Sequence, residues 1–95
     1  MPTSTAYVAT DAAPRYAQQL AAHLGRKVPV TDTDTGPRLT FDAGTGDIRA
    51  EAAQLVLTAT AADDEALAVV EDVLGRHLER FGQRNELTVT WTRSG

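Results

Sequence analysis

The stretch QLVLTATAADDEALAVVEDVLGRHLERF, residues 54–81, contains the change in hydrophobic period on which the fold depends. Its first eight residues alternate, so that Leu55 and Leu57 share one side of a predicted β-strand. After this strand, apolar residues recur every three or four positions, which predicts an amphipathic α-helix over residues 63–81. The segment therefore predicts a strand that leads directly into a helix, each with one apolar side.

Charged residues at the two ends of this helix have the signs that the helix dipole favours. The acidic residues at its start are Asp63, Asp64 and Glu65. The basic residues near its end are Arg76, His77 and Arg80. The apolar residues predicted to be buried are Leu67, Val70, Leu74, Leu78 and Phe81. The helix therefore has a defined start, a defined end and one buried side.

Outward from this segment, the chain shows further strands separated by turn residues. Alternating residues predict strands over 4–9 and 87–93, and a short strand over 28–31 precedes a polar loop. Residues 38–52 predict a β-hairpin whose turn is AGTG, residues 43–46. Each of these strands offers one apolar side to a shared core.

A first helix is predicted between the first two strands. Asp11 is a suitable N-cap, and Pro14 falls in the first turn, where its missing N–H costs nothing. Gly25 follows the last helical residue. The predicted buried residues are Tyr16, Leu20 and Leu24.

The predicted order of elements is β-α-β-β-β-β-α-β, within a single domain of residues 1–95. Cleanly alternating strands indicate an antiparallel sheet with one covered side. Two amphipathic helices are sufficient to cover that side. The predicted fold class is therefore α+β, a two-layer sandwich with both helices on one face of the sheet.

Composition excludes several classes of function. Thirteen acidic and nine basic residues give a net charge of −4, which argues against binding to nucleic acids or anionic membranes. There are no cysteines, so disulfides, thiolate catalysis and cysteine-ligated zinc are excluded. No apolar run is long enough for a signal peptide or a membrane span, and we expect a cytoplasmic protein.

The two predicted helices carry a short echo of each other. Each contains a His-Leu pair, His23-Leu24 in the first helix and His77-Leu78 in the second, 54 positions apart. In both helices the leucine belongs to the apolar side and the histidine flanks it. The echo suggests two strand–helix–strand halves around a central hairpin.

The start MPTSTAYVATDAAPRY (1–16) and the close GRHLERFGQRNELTVTWTR (75–93) resemble domain of unknown function 2218, a bacterial family common in actinobacteria. The resemblance covers essentially the whole chain and is most specific at Arg15-Tyr16, at residues 77–86 and at Trp91. The family has no established activity. Some members are encoded beside, or fused to, siderophore-interacting flavin reductases, so the resemblance implies a link to iron or siderophore handling.

An anion site is the main functional hypothesis from the residues themselves. Arg15 lies in the first turn of the first helix, where a cation opposes the helix dipole but can join free N–H groups in binding an anion. If the two helices pack antiparallel, Arg15 comes near the basic end of the second helix. The candidate ligand-binding residues are Arg15, Tyr16, His77, Arg80 and Arg84. The alternative is that these are ordinary solvated helix ends.

Other motifs predict no catalytic, metal or cofactor site. His23 and His77 have no third ligand at a suitable spacing, so a half-buried histidine bonded to the main chain is the favoured interpretation. DTDTG, residues 32–36, has its glycine one position too early for a calcium loop. GTG, residues 44–46, lies in a hairpin, where a phosphate loop is not expected.

We therefore expect a non-enzymatic binding or accessory module for a small anionic ligand or a partner protein. One alternative is a small cofactor-free enzyme in which His23 or His77 is a general base oriented by Glu79 or Glu86. Another is a structural homodimer that pairs through a threonine-rich sheet face, with Thr88, Thr90 and Thr92 on it.

Overall fold

Six strands and two helices make up the computed structural model, which describes residues 2–34, 36–81 and 89–94. The strands are β1 (Thr3–Ala9), β2 (Val30–Thr33), β3 (Gly36–Thr40), β4 (Gly44–Ala50), β5 (Gln54–Ala61) and β6 (Trp91–Ser94). The helices are α1 (Ala13–Leu24) and α2 (Asp64–Phe81). The predicted order of elements is confirmed.

The strands form one antiparallel sheet in the order β2-β3-β4-β5-β1-β6. Strand β5 pairs with β1, and in this pair Leu57 is opposite Ala6 and Leu55 is opposite Val8. On the other side of β5, Ile48 of β4 is opposite the same Leu57. These side chains share one face because the register aligns their alternation. The predicted α+β architecture is confirmed.

Both helices cover this one face of the sheet. The sheet residues beneath them include Ala6, Val8, Leu39, Ile48, Leu55, Leu57, Ala59 and Ala61, each at most 1% exposed. The helices contribute the predicted stripes, of which Leu20, Leu67, Val70, Leu74 and Leu78 are fully buried. Small residues in β1 and β5 keep the core thin, because alanine fills little space between the layers.

The close packing of α2 against the sheet depends on Gly46 in β4. A Cβ at this position would lie 2.7 Å from Leu74 Cδ1 and 3.2 Å from Leu74 Cδ2. The missing side chain lets Leu74 approach the backbone of β4 directly. Gly46 was predicted to form part of the hairpin turn, and that prediction is wrong: residues 41–43 make the turn, closed by hydrogen bonds between Phe41 and Gly44.

The helix starts differ from each other. Asp63 Oδ1 accepts a hydrogen bond from the backbone N–H of Ala66 at 2.8 Å, which satisfies one of the free donors of α2. Asp11 was predicted to do the same for α1, and that prediction is wrong. The N-cap of α1 is Ala12, whose own N–H donates to Thr10 Oγ1 at 3.1 Å.

Two strands also differ in extent from their predictions. The second strand begins at Val30 and not at residue 28, because the N–H of Val28 is used to close α1 on Leu24 O at 3.1 Å. The last strand begins at Trp91, with Val89 and Trp91 partly buried against the core as predicted. Leu87 lies outside the described residues.

Candidate functional site

The two histidines meet where α1 and α2 touch. The ring centroids of His23 and His77 are 5.2 Å apart, with the ring planes inclined by 46°. His23 lies in the last turn of α1, and His77 lies one turn before the end of α2. The leucines that follow them, Leu24 and Leu78, are both buried. Burial of each leucine fixes its helix so that the preceding histidine points into the junction.

His77 is held in place by its own helix. Its Nδ1 lies 2.7 Å from the carbonyl oxygen of Val73, one turn earlier. Since a carbonyl oxygen only accepts, this geometry requires the proton on Nδ1. Nε2 then carries a proton only in the imidazolium form, and His77 can donate toward a ligand only when it is charged.

A cavity of about 250 Å³ opens beside the two rings, and we call it the histidine pocket. Its lining residues are His23, Leu24, Lys27, Val28, Phe41, Val73 and His77. The leucine is buried, and Val28, Phe41 and Val73 are half-buried and packed against the core. The pocket therefore has an apolar wall and a rim on which the described ionisable groups are all basic.

The surroundings of the pocket are positively charged, although the protein as a whole is acidic. Partial desolvation lowers the pKa of His23, and the positive charges of His77, Arg26, Lys27 and Arg80 lower it further. In the described part of the chain, Arg26, Lys27 and Arg80 form no ion pair. An anion entering here would meet the charges of Arg26, Lys27 and Arg80, which no carboxylate of the described residues neutralises.

Two carbonyl groups at the helix end beside the pocket are already hydrogen-bonded. The N–H of Gly25 bonds to Ala21 O at 2.8 Å, and the N–H groups of Lys27 and Val28 bond to Leu24 O at 3.0 and 3.1 Å. These bonds use two of the carbonyl oxygens that would otherwise repel an anion at a helix C-terminus. They reduce the repulsion that an anion would meet from this end of α1.

The structure joins only part of the predicted ligand-binding set. His77 and Arg80 lie at the junction, but the residue of α1 that meets them is His23 and not Arg15. Arg15 is exposed and forms no hydrogen bond or ion pair within residues 2–34, 36–81 and 89–94. It precedes His23 by eight residues, which is about 12 Å along a helix axis. Its participation in a shared site stays a prediction.

The other predicted residues have different outcomes. Tyr16 is buried in the core, 6% exposed, where its ring contributes to packing. Arg84 lies outside the described residues, as does Glu86. Sequence reasoning left His23 and Lys27 out of the site. The His-Leu echo was the one signal that pointed to His23, because the two histidines at matching positions are the pair that meets.

The opposite side of α2 carries matched charges. Glu71 pairs with Arg93 of β6 at 2.8 Å, and Arg76 pairs with Asp72 at 3.0 Å. Glu79 Oε2 accepts a hydrogen bond from the backbone N–H of Val89 at 3.2 Å. A shallow cavity of about 360 Å³ lies along this side, but each carboxylate that lines it already has a partner. We interpret these contacts as structural.

The pKa of Glu71 reflects its contacts on this side of α2. A hydrogen bond from Arg93 lowers the pKa of Glu71, partial burial opposes the shift, and Ser4 and the charge of Arg93 lower it further. The hydroxyl of Ser4 is buried beneath α2 and forms no well-formed hydrogen bond with any described residue. Its influence on Glu71 is therefore a weaker polar contact than that of Arg93.

The face of the sheet away from the helices is polar. It carries threonines on β1, β5 and β6, the ion pair Arg38–Asp47 at 2.7 Å, and Tyr7, which is 62% exposed. Thr90 and Thr92 are exposed, as predicted, whereas Thr88 lies outside the described residues. Pairing of two copies through this face stays a prediction.

Metal ligands and membrane-spanning helices were the remaining features to consider. Within the described residues, no three histidine, aspartate or glutamate side chains lie close enough together to hold a metal ion. Neither α1 nor α2 combines the length and the hydrophobicity that a membrane-spanning helix requires.

Comparisons with known proteins agree with this architecture. The NMR structure of PA4090 from Pseudomonas aeruginosa matches with a TM-score of 0.80 and 27% sequence identity, over 97% of this chain and 96% of that chain. No curated protein matches the chain. A family profile described as an uncharacterized protein conserved in bacteria, DUF2218, matches residues 5–92. Since this match spans nearly the whole chain, the protein belongs to the DUF2218 family.

Proposed function

We propose that this protein is a non-enzymatic binding or accessory module that binds a small anionic ligand in the histidine pocket. The observation that carries the proposal is the charge arrangement around the pocket. His23, Lys27 and His77 line it, and Arg26 and Arg80 act on it from nearby. These groups repel one another when they are charged. Apart from His23, none of them has an ion pair or a carboxylate partner among the described residues. Binding of an anion would relieve this repulsion.

Comparison with the other side of α2 supports this interpretation. There, Arg76 and Arg93 each pair with a carboxylate, as is usual for structural surface charges. A protein with a net charge of −4 has acidic residues to spare for pairing. Positive groups gathered beside a cavity without such partners support a ligand-binding role.

The alternative of a cofactor-free enzyme has less support. A histidine base is commonly oriented by a carboxylate, and Glu79 and Glu86 were the predicted candidates. His77 is instead held by the Val73 carbonyl, and Glu79 accepts a hydrogen bond from Val89. In this arrangement no carboxylate of the described residues orients His77 as a base.

The test is an NMR titration of the two histidine rings with sodium acetate and sodium phosphate at constant ionic strength. We expect saturable shifts of both rings that strengthen as the pH falls toward the lowered pKa of His23, because a bound anion favours the charged imidazole. The dependence on pH cannot exceed about tenfold per pH unit for each coupled proton.

The matched variants are Arg80→Gln and Arg76→Gln, which remove the same charge four residues apart on α2. Arg80→Gln is expected to weaken anion binding several-fold, whereas Arg76→Gln leaves it unchanged because Arg76 is paired with Asp72. Equal effects of the two variants, or no saturable shift with either anion, would contradict the proposal. A parallel titration with a ferric siderophore tests the implied link to iron handling.

A further inference from the structure

The histidine pocket has two chemically different halves. One is the apolar wall formed by Leu24, Val28, Phe41 and Val73, and the other is the basic rim described above. A simple inorganic anion would contact only the rim and would leave the wall exposed to water. A pocket of this kind suits a ligand that has both a charged end and an apolar body.

On the basis of the proposed function, we infer that the ligand is a small monocarboxylic acid with a short apolar body. Its carboxylate would lie between His23, Lys27 and His77, and its body would lie against Phe41 and Val73. The carboxylate would accept hydrogen bonds from the lysine and from protonated imidazole.

The size of the cavity limits the size of this acid. A water-sized group takes up about 30 Å³ in the liquid, so a volume of about 250 Å³ holds roughly eight non-hydrogen atoms. Three of these atoms belong to the carboxylate group. About five remain for the body, which corresponds to an acid of about six carbons, such as hexanoate.

The groups at the rim favour a carboxylate over a phosphate. Phosphate sites in proteins typically use backbone N–H groups at a helix N-terminus together with arginine forks. Here the helix end beside the pocket is the C-terminus of α1, and the N–H groups of Lys27 and Val28 are already bonded to Leu24. No arginine is among the described residues that line the pocket. One ammonium and two imidazoles are a better match for a single negative charge.

The experiment is a binding series of acetate, butyrate, hexanoate and decanoate at pH 6.5, with hexanol, hexylamine and phosphate as comparison ligands. The readout is the pair of histidine ring resonances, which are unambiguous because the chain has only two histidines. Each buried methylene strengthens binding by up to about fourfold. We expect affinity to rise at least tenfold from acetate to hexanoate and then to level off or fall at decanoate, when the cavity is full.

Variants one turn apart on α2 provide the matched control. Val73 lines the pocket, whereas Val69 is 52% exposed on the surface. Val73→Ala is expected to reduce hexanoate affinity about threefold to tenfold without changing acetate affinity. Val69→Ala is expected to change neither.

One outcome separates this inference from the proposed function, and the others overturn both. If acetate and phosphate bind as tightly as hexanoate, the anion site stands and the apolar body is wrong. If hexanol binds as tightly as hexanoate, the rim contributes nothing and both proposals fail. If hexylamine is the tightest ligand, the assigned charge is wrong and both proposals fail. If no compound binds, both are likewise overturned.

Discussion

The two sides of α2 use their charged residues in opposite ways. On the side facing β6, Glu71 and Asp72 each pair with an arginine, and Glu79 accepts a backbone hydrogen bond. On the side facing α1, His77 meets another histidine amid further cations, next to an apolar cavity. Among the described residues, these three carboxylates on the first side all have partners, whereas Arg80 on the second side forms no ion pair.

This difference separates structural charges from charges available for binding. A paired charge has little affinity for a ligand, because its partner already neutralises it and accepts or donates its hydrogen bonds. The cations Arg26, Lys27 and Arg80, gathered near His23, favour a ligand of opposite sign. Variants that disturb one side of α2 and spare the other test this division.

The largest expected effect comes from Leu74, which seats α2 on the sheet and so supports both sides at once. Leu74→Ala is expected to lower the free energy of unfolding by about 2–5 kcal/mol, because it leaves a cavity beside Gly46. Urea denaturation followed by circular dichroism measures this change.

A double-mutant cycle checks the role of Gly46 in that contact. Gly46→Ala alone places a methyl group 2.7 Å from Leu74 Cδ1 and is expected to destabilise the protein. In the Leu74→Ala background the same methyl group has room and is expected to stabilise. Additive effects of the two substitutions would show that the contact is not tight.

A second substitution disrupts only the ion pair between Glu71 and Arg93. Arg93→Gln leaves the Glu71 carboxylate, whose side chain is only 12% exposed, without its cation. We expect a loss of about 1–3 kcal/mol of unfolding free energy at pH 7, and unchanged binding in the histidine pocket. Equal binding losses in Arg93→Gln and Arg80→Gln would contradict the division between the two sides.

The pH dependence of the unfolding free energy at acidic pH provides a second test of the Glu71–Arg93 pair. Glu71 has a pKa lowered below its ordinary value near 4.5, so the unfolded chain binds a proton more readily than the folded one. The stabilisation from Glu71 is therefore complete above about pH 4.5 and is lost as the pH falls through the lowered pKa. Arg93→Gln should remove most of this acid sensitivity, as pH-dependent urea midpoints would show.

The side of α2 that faces α1 predicts a smaller effect in a different pH range. The pKa of His23 is lowered below 6.5, so the unfolded state takes up a proton first as the pH decreases. Stability should therefore begin to fall near pH 6.5 and stop falling below the lowered pKa. His23→Gln should flatten the melting temperature between pH 7.5 and 5.5, and a saturating anion should reverse the slope by favouring charged histidine. An unchanged slope in the variant would contradict this assignment.

The smallest expected effect belongs to the exposed pair Asp72–Arg76. Its side chains are 57% and 74% exposed, and the residues are four apart on α2. Arg76→Gln is expected to cost less than about 0.5 kcal/mol. A larger loss would mean that solvent-exposed charges on this side contribute more to stability than the comparison allows.

Local periodicity predicted most of the architecture correctly. The alternation of Leu55 and Leu57 identified β5, and the three- or four-residue spacing in residues 63–81 identified α2 to within one residue. The predictions failed where a few hydrogen bonds decide between neighbouring residues. Ala12 caps α1 in place of Asp11, and residues 41–43 turn the hairpin in place of AGTG.

The candidate site was only partly predictable for a different reason. Sequence analysis identified the basic end of α2, including His77 and Arg80, because those residues are close in sequence. It assigned Arg15 of α1 as their neighbour, whereas the structure brings His23 to His77. Which turn of α1 faces α2 depends on how both helices lie across the sheet, and that information is not local.

By itself, the sequence determined the number, order and buried side of the strands and helices, because hydrophobic period is a property of neighbouring residues. Only the tertiary structure decided that two histidines 54 positions apart share a pocket, and that one side of α2 is neutralised while the other is left basic. The physical reason is that electrostatic pairing depends on distances in space, and packing on Gly46 and the core leucines fixes those distances.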